Sequence, residues 1–237
     1  MLPDLDSLSL AVAGMLAETI GTTVAGGARC SLVLTGGRTP RRLYELLAER
    51  FAWTVPWSQV DVFWCDERYV ASDDPRSNYR LARLALLDRI PMSPGNVHTI
   101  PTHHADPEDA AREYESQIRG YFHERSPRFD LLLLGMAANG HVASLFPHHP
   151  ALRERERWVV AATVPADPPE RVTMTLPLIN QAASISFVVA GSTKAEVVRR
   201  ALRPGTAVDD VPAAGVVPES GRVTWWLDAA AAAHLER

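Results

Sequence analysis

Cysteine is scarce in this sequence. The 237 residues include two cysteines, Cys30 and Cys65, which lie at the edges of apolar, strand-like runs. Their positions match no metal-ligand spacing, so we expect two buried, reduced thiols. Reduced thiols favour a cytoplasmic location.

Positive charge is not in excess either. The chain carries 24 Lys and Arg residues against 28 Asp and Glu residues, which gives a formal net charge of -4 and a pI near 6.1. This balance gives no reason to expect a nucleic acid or a membrane surface as a partner. An anionic ligand would have to be bound by basic residues gathered locally.

Long apolar runs are missing. A helix that spans a bilayer needs about 20 apolar residues, and no run in this chain approaches that length. The N-terminal segment MLPDLDSLSLAVAGMLAETI contains Asp4 and Asp6 and has no Lys or Arg before its apolar part, unlike a signal peptide. We predict that it forms an amphipathic helix of a soluble protein.

Several catalytic and metal-binding motifs are also absent. The sequence contains no HExxH, no GxSxG, no P-loop ending and no dinucleotide fingerprint. The pairs His103-His104 and His148-His149 are adjacent, whereas helices that bind metals space their histidines along one face. We therefore expect no metal and no serine-hydrolase triad.

The chain does contain a regular alternation of short apolar runs, loops and helical patterns, with 46% hydrophobic residues. The predicted strands are Ser31–Thr35, Val60–Cys65, Val97–Ile100, Phe129–Leu134, Trp158–Val164, Arg171–Leu176, Ser184–Ala190 and Val223–Leu227. Asp66–Arg76 is predicted as a charged loop. The alternation predicts one α/β domain over residues 1–237, with a mainly parallel, doubly wound sheet and helices on both faces.

The segment Phe129–Pro150, FDLLLLGMAANGHVASLFPHHP, has the pattern of a site. Its apolar run ends at Gly135, and ligands of open α/β sheets bind at the carboxyl ends of the strands. His141 follows an Asn-Gly pair there and could act as a general base or acid. The alternative is an ordinary turn followed by a surface histidine.

Two further loops contain groups that suit an anion. In TGGRTP, Gly36 and Gly37 permit close backbone approach, and Thr39 is predicted to cap a helix whose N-terminal N–H groups are free. In GSTKA, Lys194 lies in the first turn of a helix, where it opposes the helix dipole unless an anion binds. Taken alone, the glycine loop is equally consistent with a tight turn that binds nothing.

Two arginines complete the candidate basic residues. Arg68 follows a predicted strand within the segment DERYVASDDPRSN, and Arg171 begins another strand, from which its guanidinium could bind phosphate in a forked manner. The alternative for the first segment is a solvated loop in which Asp66, Glu67 and Arg68 pair among themselves.

In this order, the segments TGGRTP, DERYV with SNYRLAR, GMAANGHVASLFP, RVTMTLPLIN and GSTKA resemble the 6-phosphogluconolactonase family, from about Ser31 to Leu227. The resemblance implies the fold shared with glucosamine-6-phosphate deaminases and ribose-5-phosphate isomerases, and it implies no cofactor. The implied reaction is the hydrolysis of 6-phospho-D-glucono-1,5-lactone in the oxidative pentose phosphate pathway. We expect this small sugar-phosphate lactone as the partner of a monomer or weak dimer.

The resemblance also implies roles for the candidate residues. His141 would be the general base that removes a proton from water. Arg68, or the N–H groups of the glycine loop, would stabilise the oxyanion, while Arg171 and Lys194 would hold the phosphate. The implied substrate-binding set is Gly36, Gly37, Thr39, Asp66, Arg171 and Lys194.

One position departs from the family pattern. The family usually has Asp two residues before the histidine, in a form like GMGPDGH, whereas this chain has Asn139. An amide supplies no negative charge, so we expect lower activity or a pH profile shifted downward. Asn still accepts a hydrogen bond and tolerates a left-handed turn, so the position of His141 could be preserved.

Two other functions remain open from the sequence. One is an aminosugar-phosphate deaminase or isomerase of the same fold, although relatives of that kind carry a glutamate-bearing, FNEP-like segment where this chain has SLFP. The other is a sugar-phosphate-binding protein that has lost catalysis through Asn139.

Overall fold

The central sheet consists of five parallel strands. The computed structural model describes residues 1–123 and 126–235. The strands are β1 (Cys30–Leu34), β2 (Val60–Trp64), β4 (Leu131–Leu134), β7 (Ser184–Val189) and β8 (Arg222–Leu227), in the order β2-β1-β4-β7-β8. Every residue of β1, β2, β4 and β7 is buried, so both faces of the sheet are covered, as expected for parallel strands.

A second sheet is small and antiparallel. It contains β3 (Asp66–Arg68), β5 (Val159–Thr163) and β6 (Glu170–Met174), in the order β3-β6-β5. The prediction of a loop over Asp66–Arg76 is therefore wrong for its first three residues. Three charged residues give no strand signal by themselves, and the ladder partner that orders them lies about a hundred residues further along the chain.

The predicted strand at Val97–Ile100 is also wrong. Val97 forms a single bridge with Val62 and the ladder extends no further. A 3-10 turn at Pro94–Asn96 precedes it, and Pro101, which has no N–H to donate, follows. The other predicted strands are confirmed, with ends that differ by one or two residues.

The helices are α1 (Leu5–Ala25), α2 (Arg38–Phe51), α3 (Asn78–Ala85), α4 (Pro107–Tyr121), α5 (Leu176–Ile179) and α6 (Ala195–Leu202). Helix α1 packs against α2 and against β1, β7 and β8, whereas α4 packs on the antiparallel sheet. Asp4 caps α1 by accepting a hydrogen bond from the backbone N–H of Ser7 at 2.8 Å. The predicted N-terminal helix is thus confirmed.

Helix α1 is longer and more apolar than predicted from the sequence. It spans 21 residues and contains an 18-residue window with a mean hydropathy of 1.5, which is enough by length and composition to cross a membrane. Leu8, Val12, Leu16 and Ile20 are fully buried in the main hydrophobic core. Their spacing along one face is that of a helix packed on a folded core.

The two sheets are joined at Cys65. Its N–H donates to the Leu34 carbonyl at 2.9 Å, and its carbonyl accepts from the N–H of Met174 at 2.8 Å. Both cysteines are buried and unbridged, and burial raises the pKa of Cys30 to about 12. The antiparallel sheet is thereby fixed beside the carboxyl ends of β1 and β2.

Strand order determines where a ligand can enter. Strand β1 lies between β2 and β4, so the chain leaves β1 toward one side of the sheet and later returns on the other. Such a reversal leaves a crevice at the carboxyl ends of the strands. The loops that follow β1, β4 and β7 all lie at this edge.

Candidate active site

A cleft of about 520 Å³ lies at the carboxyl edge of the parallel sheet. Eight of the nine residues predicted to form the site line this cleft: Gly36, Gly37, Thr39, Asp66, Arg68, His141, Arg171 and Lys194. Asn139 lies outside the lining and contacts His141. A larger cleft of about 760 Å³, around Trp158 and Val217, contains none of these residues.

The position of His141 depends on the turn that precedes it. The N–H of Ala137 donates to the His141 carbonyl at 3.1 Å, and the N–H of Gly140 donates to the Ala137 carbonyl at 3.0 Å. Gly140 has φ +85°, and a Cβ there would lie 2.9 Å from Cγ1 of Val211. Only glycine tolerates both the positive φ and the close approach of Val211, so the Asn-Gly pair is not an ordinary surface turn.

Asn139 determines which nitrogen of His141 carries the proton. Its Oδ1 accepts the backbone N–H of His141 at 3.2 Å and lies 2.8 Å from Nδ1. Because a backbone N–H needs an acceptor, the amide atom at this point is the oxygen, and Nδ1 must donate to it. Nε2 is therefore the nitrogen with a free lone pair. The imidazole also stacks on Phe146, with ring centroids 3.9 Å apart.

The pKa of His141 is lowered from its ordinary value to about 4. Burial is the main cause, and the charges of Lys194, Arg171 and Arg68 lower the pKa further, while Asp66 opposes them. The imidazole is consequently neutral at pH 7, with Nε2 able to accept a proton.

Arg68 and Arg171 are neighbours across the antiparallel ladder. They face each other in the pairing of β3 with β6, and Arg171 is buried, with Nε donating to the Pro168 carbonyl at 2.9 Å. Arg68 donates to the Arg76 carbonyl, and its Nε is buried with no hydrogen-bond partner among the described residues. Burial lowers the pKa of Arg171, which indicates a guanidinium that a bound anion would stabilise.

The acidic neighbours of Arg68 do not neutralise it. Glu67 accepts the backbone N–H groups of Asn78 and Tyr79, each at 2.7 Å, and so fixes the start of α3. Asp66 accepts the hydroxyl of Ser144 at 2.7 Å and the side-chain amide of Asn78 at 3.2 Å. The alternative of a loop whose charges pair among themselves does not hold.

Gly36 is required by the close approach of Asn78. A Cβ on Gly36 would lie 1.8 Å from Oδ1 of Asn78, a buried atom that has no partner among the described residues. Asn78 is itself held by the carbonyl and carboxylate of Asp66. Asn78 and Ser144 are polar residues of the cleft that were not predicted from the sequence, because nothing local marks them as partners of Asp66.

Helix α2 begins two residues earlier than predicted. Its N-cap is Gly37, with φ +111°, and no side chain in the described part of the chain caps the helix, so the prediction that Thr39 is the cap is wrong. Thr39 lies in the first turn and lines the cleft. The N–H groups of an uncapped first turn lack intrahelical partners and can bind an anion.

Arg38 is a further basic residue of the cleft, and it was not among the site residues predicted from the sequence. It is the first residue of α2, and Lys194 directly precedes α6. Neither side chain has a hydrogen bond or ion pair within residues 1–123 and 126–235. Burial, followed by the charge of Arg38, lowers the pKa of Lys194. Two features of the sequence mark these residues as candidates for the site. Lys194 is the single lysine of the chain, and Arg38 is a charged residue within a glycine loop.

Comparison with known proteins identifies the family to which the chain belongs. The family model described as glucosamine-6-phosphate isomerases/6-phosphogluconolactonase matches residues 3–225. A 6-phosphogluconolactonase of Synechocystis is 41% identical over 219 residues, covering 91% of this chain and 89% of the relative. A crystal structure of 6-phosphogluconolactonase from Thermotoga maritima superposes with a TM-score of 0.82 at 30% identity, covering 96% of this chain and 97% of that one.

A more distant likeness concerns the fold alone. The structure of a monomeric glucosamine-6-phosphate deaminase has a TM-score of 0.81 at 24% identity, covering 98% of this chain and 97% of that chain. The fold shared with deaminases, expected from the sequence, is thereby confirmed. With a family model matching nearly the whole chain and a relative at 41% identity, the chain belongs to the glucosamine-6-phosphate isomerase/6-phosphogluconolactonase family, on its 6-phosphogluconolactonase side.

Proposed function

We propose that this protein hydrolyses 6-phospho-D-glucono-1,5-lactone to 6-phospho-D-gluconate. The observation that carries the proposal is the free Nε2 of a neutral His141 in a cleft lined by four cationic side chains, Arg38, Arg68, Arg171 and Lys194. Within the described ranges, none of these four forms an ion pair with a carboxylate. A neutral base among unneutralised cations suits an anionic substrate that is attacked by water.

The phosphate is bound where cations and backbone donors coincide. Lys194 and Arg38 stand at the starts of α6 and α2, and the uncapped first turn of α2, with Thr39, adds N–H and hydroxyl donors. Arg171 approaches from the antiparallel sheet, with Nε engaged by Pro168 and its other nitrogens available. This binding orients the lactone carbonyl toward His141.

The reaction then follows from ordinary acid–base chemistry. Water attacks C1 of the lactone while Nε2 of His141 takes its proton, and the carbonyl electrons form an oxyanion that Arg68 stabilises. The oxyanion collapses, the bond between C1 and the ring oxygen breaks, and the imidazolium returns its proton to that oxygen. The released acid then loses its own proton to solvent, and no cofactor takes part.

Substrate binding is expected to raise the pKa of His141, the general base. A pKa near 4 makes His141 a weak acceptor in the free protein, and the charges of Lys194 and Arg171 contribute to that low value. A bound phosphate dianion offsets these charges, so the pKa of His141 rises when the substrate is present. The base thus becomes stronger when there is a lactone to hydrolyse.

Hydrolysis is favoured over deamination at the segment that follows His141. The residues SLFP contain no carboxylate, and Ser144 is already engaged by Asp66. A deaminase or isomerase would need a group in this region to move protons at carbon. The likeness to a deaminase structure bears on the fold and not on this chemistry.

The test is a coupled assay on freshly prepared lactone, with spontaneous opening subtracted. We expect acceleration by the protein and no ammonia release from glucosamine 6-phosphate. Tight binding of 6-phosphogluconate without acceleration would contradict the proposal and favour a binding protein, whereas ammonia release would favour a deaminase.

Two remaining expectations stay predictions. A cytoplasmic location is supported by two buried, unbridged cysteines. A monomer or weak dimer is proposed for solution, and sedimentation velocity would measure it.

A further inference from the structure

A compact group of metal-ligating side chains lies outside the cleft. His103 and His104 belong to the loop before α4, and Glu113 lies on that helix. One potential ligand atom from each residue lies within 4.8 Å of the other two. Among the described residues, this is the one such group of three histidine, cysteine or carboxylate side chains.

The two histidines present their imidazoles side by side. Their rings stack with centroids 4.4 Å apart and an interplanar angle of 29°. Nε2 of His104 lies 2.7 Å from Oε2 of Glu113. Adjacent residues in a loop can therefore direct both rings toward one carboxylate, which the spacing rule for helices does not anticipate.

Neighbouring side chains hold two members of the group in place. Gln117, one turn further along α4, donates to Oε1 of Glu113 at 3.2 Å and leaves Oε2 facing His104. The Tyr69 hydroxyl donates to the backbone carbonyl of His104 at 2.7 Å. Outer partners of this kind fix the orientation of ligands in metal sites.

We infer that His103, His104 and Glu113 form a binding site for a zinc ion. Two imidazoles and one carboxylate are typical zinc ligands, and three protein ligands leave a fourth tetrahedral position for water. His103 and Glu113 are exposed and His104 is half-buried, so the ion can enter from solvent. Zinc holds its ligands at roughly 2.0 to 2.2 Å, so the side chains would rotate to bring their ligand atoms, which lie within 4.8 Å of one another, closer together around the ion.

The site has a structural consequence that is independent of the chemistry in the cleft. A bound ion would join the loop at residues 103–104 to the middle of α4, the helix that packs on the antiparallel sheet. Because the ion binds the folded protein, the melting temperature is expected to rise as the free zinc concentration increases above the dissociation constant.

The experiment is isothermal titration of the untagged full-length protein with zinc chloride, accompanied by thermal melts. The expected result is one zinc ion bound per chain in the micromolar range, with an affinity at least about 10-fold weaker in His104→Ala and Glu113→Gln. His104 is half-buried and Glu113 is exposed, so circular dichroism is used to check that each variant is folded.

Two control variants locate the ion. His148→Ala removes a histidine of the other adjacent pair, and His141→Ala removes the histidine of the cleft. Both should bind zinc as the wild type does. The inference is overturned if the wild type binds no zinc, if His104→Ala and Glu113→Gln bind it with unchanged affinity, or if binding is lost in either control instead.

Discussion

The two sheets contribute different kinds of groups to the cleft. The parallel sheet contributes loops, in which glycines with positive φ place His141 and Lys194, and neither side chain has an ion-pair partner within residues 1–123 and 126–235. The antiparallel sheet contributes strand residues, among which Asp66 and Arg171 are buried and held by hydrogen bonds. Loop groups reach the ligand from turns that glycines shape, whereas strand groups reach it from positions that internal hydrogen bonds fix.

This difference leads to a general expectation. Substitutions in the loops should change kinetics and leave folding nearly unaffected, because those side chains contribute few internal contacts. Substitutions in β3 or β6 should affect both properties, because a buried charge loses its partners when it is altered.

The largest effect is expected for His141→Ala. Removal of the base should lower kcat by about 10²- to 10⁴-fold, because general-base catalysis is typically worth that much. The coupled assay on fresh lactone measures the rate, and a thermal melt should show little change. A kcat equal to that of the wild type would remove His141 from the mechanism.

A smaller kinetic effect is expected for Lys194→Met. Loss of one charged phosphate ligand should raise KM by about 10- to 100-fold with kcat less affected, since a charge-assisted hydrogen bond contributes roughly 1.5 to 3 kcal/mol. Unphosphorylated glucono-1,5-lactone is the control substrate, and its slow hydrolysis should be unchanged. Arg38→Ser should shift KM in the same direction, and equal losses on both lactones would argue against a phosphate role.

Asp66→Asn probes the antiparallel sheet. The new amide places an N–H₂ group against the donors on Ser144 or Asn78, so the free energy of unfolding should fall by about 1 to 3 kcal/mol. The activity should fall about 10-fold, because the carboxylate that raises the pKa of His141 is lost. Urea unfolding and the pH–rate profile measure both effects. A loss of activity with an unchanged free energy of unfolding would contradict the distinction drawn between strand residues and loop residues.

Asn139→Asp should have the smallest effect, and in the opposite direction. A carboxylate beside Nδ1 stabilises the imidazolium, so the pKa of His141 rises from about 4. Since the base acts when neutral, the acidic limb of kcat/KM should move to higher pH by about one unit, with a rate a few-fold higher on the plateau.

Deamidation complicates that comparison. An Asn-Gly pair deamidates spontaneously and would create the same Asp in a wild-type sample, so intact mass and peptide maps should accompany the kinetics. Identical pH profiles for an undeamidated wild type and the variant would show that the charge at position 139 is unimportant.

Much of the parallel framework could be predicted from the sequence. Apolar runs such as LLLL at 131–134 are local, and a run buried on both faces is the direct signature of a parallel strand. The glycine loop, the Asn-Gly turn and Lys194 could also be located, because each is a local departure from a regular pattern. The residues predicted from these signals meet in one cleft.

The missed features depend on pairings that are distant in sequence. Strand β3 consists of charged residues and exists through its ladder with β6. Ser144 is 78 residues from Asp66 and is its hydrogen-bond partner. Thr39 was assigned as a cap because its residue type is suitable, yet the conformation of Gly37 starts the helix two residues earlier.

By itself the sequence determined the alternating elements, the turn before His141 and the local supply of basic residues, because periodicity, glycine and charge act over a few residues. The tertiary structure alone decided which nitrogen of His141 is free, how far its pKa falls, that Arg38 joins Lys194, and that His103, His104 and Glu113 meet. These properties arise from burial and from distances between residues far apart in the chain, and no local pattern encodes them.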